Sequence, residues 1–270
     1  MRFRQFAVAS ILLCTATACL ARATSEDTML TLHLRAQIEQ QPGMWKTVET
    51  KRQITAPNAA IVICDMWDKH WCKSATNRCE EIAKRMEPVI AAARAKGVLI
   101  IHAPSECMKS YADTPQRKLA QSATRAEPPA ARKIDEPPLP IDDSDGGCHD
   151  VPQCKQGQAW TKENPNLHIA EGDAISDNGQ EIYNLLRARN IRMLMVMGVH
   201  TNMCVLGRSF AIRQMTKWEI PCVLVRDLTD TMYNPRMRPM VPHEEGTKLV
   251  VEHIEKYWCQ SISSKDLLKK

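Results

Sequence analysis

Two residues of this chain stand where a thiol and a carboxylate could share a proton. Asp65 ends the apolar run Ala59-Ala-Ile-Val-Ile-Cys64. Cys204 follows a second apolar run, Met193–Met197, after the turn Gly198-Val-His-Thr-Asn-Met203. A cysteine that opens a helix meets free backbone N–H groups and the positive end of the helix dipole. Both favour thiolate, and both serve an anion forming beside the sulfur. A thiol nucleophile needs a base for its proton and then an acid for the leaving group. One carboxylate with a raised pKa does both, and Met66 and Trp67 beside Asp65 supply apolar surroundings that raise it. The plain alternatives are an inert buried thiol and a strand-end cap; what favours chemistry is the placement of both residues by the surrounding elements.

Those elements alternate. Continuous apolar runs at 59–64, 98–102, 193–197 and 221–225 suit strands buried on both faces. Helical patterns lie between and after them, at 79–97, from Ser176 or Asp177 to Arg189, 205–218 and 244–258. Such alternation implies a three-layer α/β/α domain with a doubly wound, mostly parallel sheet. In such sheets ligands bind beyond the C-terminal strand ends, where Asp65, His102, the Ala170-Glu171 corner, the 198–204 turn and Asp227 all fall. Ahead of this unit, residues 29–54 read as a β-hairpin around Gln41-Pro-Gly43. Residues 104–165 hold nine of the sixteen prolines and read as a long insertion, followed by a short strand at 166–170. Asp142, Asp143 and Asp145 in this insertion lack the ligand spacing of an EF-hand, and a solvated turn is the preferred reading.

The N-terminus has another character. Arg2 and Arg4 precede an uncharged run, Phe6–Ala21, and Ala21-Arg22-Ala23 offers a cleavage pattern. Residues 1–23 are read as a secretory signal peptide, too short for a membrane span, so the protein is expected to be exported, periplasmic or extracellular. A lipoprotein signal ending at Cys19 is the lesser alternative. Removal of this segment takes three arginines and lowers the formal charge from +5 to +2, which leaves no case for a nucleic-acid partner. Of eleven cysteines, nine stay in residues 24–270, many for a reducing compartment. The close pairs Cys72/Cys79 and Cys148/Cys154 lack the paired CxxC spacing of zinc sites and are expected as disulfides. Cys107 and Cys259 are further candidates, and Cys64 and Cys222 are expected in the core.

Strand-Asp65, the Gly198-Val-His-Thr201 turn and Cys204-Val205 together resemble the isochorismatase-like cysteine hydrolases, which include nicotinamidases and N-carbamoyl-amide hydrolases. The likeness spans about Ala59 to Tyr257, apart from the Pro-rich insertion, and the motif Gly-Val-x-Thr-x-x-Cys-Val fits Gly198–Val205 throughout. It implies Cys204 as nucleophile, Asp65 as general acid/base, and a cis peptide between Val199 and His200. It also implies an oxyanion hole formed by the N–H groups of His200 and Cys204. The family's third residue is a lysine; counting back from Gly198 places Glu171 there. A positive charge must then come from elsewhere, with Lys162 the first candidate and Lys69, His70 and His200 behind it. Nicotinamidases also hold a metal after the second strand. Here His102 and Glu106 are the residues on offer, and a structural or substrate-facing His102 is preferred, so no cofactor is expected. Arg208 and Arg213 are read as facing subunits or solvent.

The resulting expectation is an exported hydrolase cutting a small amide or related C–N bond through a thioester on Cys204. Its expected partners are a small-molecule substrate and further copies of itself, with no stable membrane span. Two other classes stay open: a non-catalytic binding protein of the same fold, prompted by Glu171, and a thiol-redox protein, prompted by the cysteine count but lacking CxxC.

Overall fold

The computed structural model describes residues 28–269; the expected signal peptide lies outside these. Eight strands form one sheet in the order β2-β1-β8-β7-β6-β3-β4-β5. They are β1 (Met29–Gln41), β2 (Met44–Thr55), β3 (Ala59–Cys64), β4 (Leu99–Ala103), β5 (Ala174–Ile175), β6 (Met193–Val199), β7 (Cys222–Asp230) and β8 (Gln260–Ile262). The helices are α1 (Lys73–Ala95), α2 (Pro115–Ser122), α3 (Gly179–Ala188), α4 (Cys204–Gly207), α5 (Ile212–Lys217), α6 (His243–Tyr257) and α7 (Lys265–Leu268).

The six strands β3 to β8 pair in parallel, and the β1–β2 hairpin joins antiparallel through β1 and β8. From β3 the chain winds outward through β4 to β5. It then returns beside β3 as β6 and winds the other way through β7 to β8. The switch point lies between β3 and β6, where doubly wound sheets hold their ligands. The register there pairs Cys64 with Gly198. Asp65 and the Gly198–Cys204 turn therefore leave the sheet side by side.

Burial explains the continuous apolar runs. Every residue of β3 and β6 is buried. Alternate side chains point to opposite faces: Ala60, Val62, Leu194 and Val196 pack beneath α3, α5 and α6. Ala59, Ile61, Ile63, Met193, Met195 and Met197 pack against α1 and the inner half of the hairpin. Each Val, Leu, Ile or Met among them contributes about 1.5–3 kcal/mol relative to exposure. Helix α1 presents Ile82, Met86, Val89, Ile90 and Ala93 to that second core.

Several expectations shift in detail. Helix α1 starts at Lys73, earlier than Cys79. Asn178, rather than Ser176 or Asp177, caps α3 by accepting from the Glu181 N–H at 3.1 Å. The helix expected over 205–218 is two short ones, because the chain leaves helical geometry at Arg208. No strand forms at 166–170; the edge strand is β5, whose two residues are buried, with Arg117 of α2 donating to the Ile175 carbonyl at 3.4 Å. The insertion is mostly irregular but contains α2. Its acidic residues are engaged within the protein: Asp143 accepts from Asn202 Nδ2 at 2.6 Å and Asp145 from Asn234 Nδ2 at 2.7 Å.

Candidate active site

Asp65 is fully buried one residue beyond β3, with a left-handed φ of 48°. Its N–H continues the sheet by donating to the Ala103 carbonyl at 3.1 Å. That anchor turns the carboxylate into the switch-point crevice. Oδ1 accepts from the Ser105 N–H at 2.8 Å, and Oδ2 accepts from Arg208 Nε at 2.8 Å. The Cys204 thiol completes the set with a hydrogen bond to the same carboxylate.

The turn that carries Cys204 is held tightly. Gly198 has φ 114°, and a Cβ there would collide with the Cys64 carbonyl, so only glycine allows β3 and β6 to approach. The Val199–His200 peptide is cis. Thr201 donates its N–H to the Asp230 carbonyl at 2.8 Å, and its hydroxyl meets that of Thr229 at 2.7 Å. Thr229 in turn donates to the Gly198 carbonyl at 2.7 Å. Asn202 is fixed through Met232, accepting its N–H at 2.9 Å and donating to its carbonyl at 3.1 Å. The His200 N–H reaches the Cys204 sulfur.

Burial raises the Asp65 pKa, and Arg208 opposes the rise. Burial also pushes the Cys204 thiol up to about 12, with the Asp65 charge adding to the rise and Arg208 again opposing it. The thiol is therefore neutral and donates to the Asp65 carboxyl, whose ionised form the guanidinium favours against burial. Burial, reinforced by His70, lowers His200 to about 3, so this imidazole is neutral at ordinary pH.

Arg208 is the site residue that the sequence reading placed elsewhere. Its Nε faces Asp65, its outer end stays partly exposed, and its Nη1 lies 3.7 Å from Glu106 Oε1. Glu171 and Lys162, the two candidates for the third position, both have exposed side chains, and neither is among the partners of Asp65 or Cys204. The signal for Arg208 was its spacing of four residues from Cys204, which puts the two on one side of a helical turn.

A second buried network lies behind the first. His102 at the end of β4 meets Glu163 Oε1 through Nδ1 at 3.0 Å and Asp173 Oδ2 through Nε2 at 3.2 Å. Arg94 pairs with Asp173 at 2.7 Å. Both imidazole nitrogens are thus committed to carboxylates, and Glu106 takes the Trp160 indole N–H at 3.2 Å. His102 and Glu106 do not fit as metal ligands, since His102 has no nitrogen free to ligate. Toward the mouth, Trp67 stacks on Trp160 with ring centroids 4.1 Å apart, and His70 continues the stack.

One solved structure agrees with this architecture. A cysteine hydrolase from Pseudomonas syringae pv. phaseolicola 1448A superposes with a TM-score of 0.50 at 16% identity, over 80% of this chain and 92% of that one. An isochorismatase family protein from Burkholderia thailandensis gives 0.46 at 15% identity, over 79% and 97%. No curated protein matches the chain. Residues 59–241 match the family model of the isochorismatase domain, a span that runs from the first residue of β3 past Cys204 and Asp230. The chain belongs to the isochorismatase-domain family of hydrolases.

Proposed function

We propose that this protein is a cysteine hydrolase that cleaves a small amide or related C–N bond, with Cys204, Asp65 and Arg208 as its working residues. The observation that carries the reading is the Cys204 thiol hydrogen-bonded to a buried carboxylate that Arg208 holds at 2.8 Å. Asp65 takes the thiol proton as the sulfur attacks the substrate carbonyl. The oxyanion meets the backbone N–H groups of His200 and Cys204. Asp65 then protonates the departing nitrogen, leaving a thioester on Cys204. Water attacks the thioester, Asp65 accepts its proton, and that proton returns to the sulfur as the acid is released. Arg208 supplies the positive charge expected of a lysine. This weakens the case for a non-catalytic protein, which rested on Glu171 in the lysine's place.

The test is acyl-enzyme trapping. The chain is incubated with a panel of small primary amides and N-carbamoyl compounds, quenched in acid and read by intact mass and peptide mapping. An adduct on Cys204, absent from Cys204→Ala together with turnover, is the expected result. Normal turnover in Cys204→Ala would overturn the reading. We further propose export with removal of residues 1–23, checked by N-terminal sequencing of protein secreted by its native host, and self-association, checked by sedimentation. Among the described residues no helix is long and apolar enough to cross a membrane.

A further inference from the structure

The expected pairing of Cys72 with Cys79 does not form, and Cys148 and Cys154 are likewise free thiols. Cys79 turns inward, its sulfur 3.9 Å from Met66 Sδ and 3.8 Å from the Trp67 carbonyl. Cys72 turns the other way, toward the end of the insertion, where Cys148 and Cys154 lie. The three sulfurs converge on one carboxylate oxygen: Asp150 Oδ2 lies 3.4 Å from Cys72 Sγ, 3.5 Å from Cys148 Sγ and 3.2 Å from Cys154 Sγ. Cys148 is also in hydrogen-bonding contact with both other thiols.

From this convergence we propose that Cys72, Cys148, Cys154 and Asp150 form a structural, four-coordinate zinc site. Tetrahedral zinc has Zn–S bonds of about 2.3 Å and Zn–O bonds of about 2.0–2.2 Å, which put sulfur and oxygen vertices about 3.5 Å apart. The three sulfur–oxygen distances already match such edges; the ligand atoms of Cys72, Cys148 and Asp150 all lie within 4.8 Å of one another, and the Cys154 sulfur, already against Asp150, moves in to complete the tetrahedron on loading. A disulfide would use two of the sulfurs and leave a third thiol against the carboxylate; a tetrahedral ion uses all four groups. Zinc entry displaces the thiol protons to solvent. The resulting negative charge sits at the N-terminus of α1, a 23-residue helix whose N-cap is Cys72. Outer contacts are in place as well: the Ser74 N–H donates to Asp150 Oδ2 at 3.0 Å, the Lys73 N–H to Cys154 Sγ at 3.5 Å, and Ser74 Oγ lies 3.3 Å from Cys72 Sγ. Cys72 and Cys148 are fully buried, Cys154 and Asp150 partly so, and four protein ligands leave no position for substrate.

The position gives the ion a purpose. It ties the last part of the insertion to the segment running from Asp65 to α1. Just before Cys148 the insertion carries Asp143 and Asp145, the partners of Asn202 and Asn234, and Gly147, which packs on the Met232 backbone. Zinc at this point locks that wall against the turn bearing Cys204.

The test uses the full chain purified under a non-chelating reductant, loaded with zinc and desalted. Elemental analysis is expected to find one zinc per chain. Alkylation followed by peptide mapping should show Cys72, Cys148 and Cys154 protected until a chelator is added, while the zinc count of Cys79→Ser is unchanged. Cys154 is partly exposed, so Cys154→Ser is expected to fold, by circular dichroism, yet to lose zinc binding at least tenfold. Cadmium replacing zinc should give a thiolate-to-metal absorption band that saturates at one equivalent, a readout that needs no variant. A loaded wild-type chain with under about a tenth of an equivalent of zinc, its thiols free or paired, overturns the site. So does stoichiometric zinc with all three cysteines open to alkylation.

Discussion

Arg208 Nε donates to Asp65 Oδ2 at 2.8 Å, and this pair sets the charge state of the site. Asp65 is fully buried, while the Arg208 side chain is 30% exposed and so remains hydrated at its outer end. A buried carboxylate left alone would take up a proton. With the guanidinium beside it, Asp65 can stay ionised next to the thiol that it must deprotonate.

Removing that guanidinium should therefore move the acid limb of the pH–rate profile. Activity falls as pH drops through the Asp65 pKa, because the carboxylate is needed ionised. Arg208 lowers that pKa, so Arg208→Gln should move the limb to higher pH. For every pH unit that the limb moves, kcat/KM at a fixed pH below it falls roughly tenfold. Arg208→Lys keeps the charge but not the Nε geometry and should fall between. An unmoved acid limb in Arg208→Gln would remove this residue from the mechanism.

Asp65→Asn keeps the shape of the side chain and loses the base. We expect kcat to fall about 10²–10⁴-fold, with the chain still folded but its melting temperature lowered because Arg208 loses its partner. Steady-state kinetics together with thermal melting separate this outcome from simple unfolding.

Gly198 faces the Cys64 carbonyl with φ 114°. Gly198→Ala should cost about 1–3 kcal/mol from backbone strain alone, with more from the collision between β3 and β6. Chemical denaturation measures this directly, and a variant as stable as wild type would contradict the packing described.

The His102 network gives stability its own pH dependence. Burial alone would lower His102, but Glu163 and Asp173 raise it from 6.5 to about 9. A group with a raised folded pKa contributes fully below its unfolded value and loses that contribution as pH rises through the folded one. Stability should therefore decline between about pH 6.5 and 9, by roughly 3 kcal/mol from this group. Burial favours the neutral form of Asp173 as well, yet bonds from His102 and Arg94 lower it from 3.8 to about 2. Its contribution is present above 3.8 and lost as pH falls toward 2. His102→Gln should be less stable at neutral pH and should flatten the alkaline decline; urea denaturation across this range checks both.

The sequence by itself carried the winding of the sheet and the two corners of the site. Runs such as Ala59–Cys64 and Met193–Met197 are apolar at every position, and only a strand covered on both faces tolerates that. Asp65 stands out because it breaks such a pattern at a strand end, and Cys204 because it opens the helical stretch after the next such strand and its turn. The third corner depended on tertiary structure. Arg208 lies close to Cys204 in sequence, but a charged residue in a helical stretch is read as solvent-facing until the partner across the crevice, Asp65, is brought within 2.8 Å by the pairing of β3 with β6. The cysteines show the same limit. Cys72 and Cys79 are near in sequence, yet one caps α1 and the other lies inside it on the core side, so their side chains diverge. Cys72 meets Cys148 and Cys154 only because a long irregular insertion folds back onto the start of that helix. Local periodicity reports which face of an element is buried; which charged or sulfur-bearing group waits on that face is decided by contacts between residues far apart in the chain.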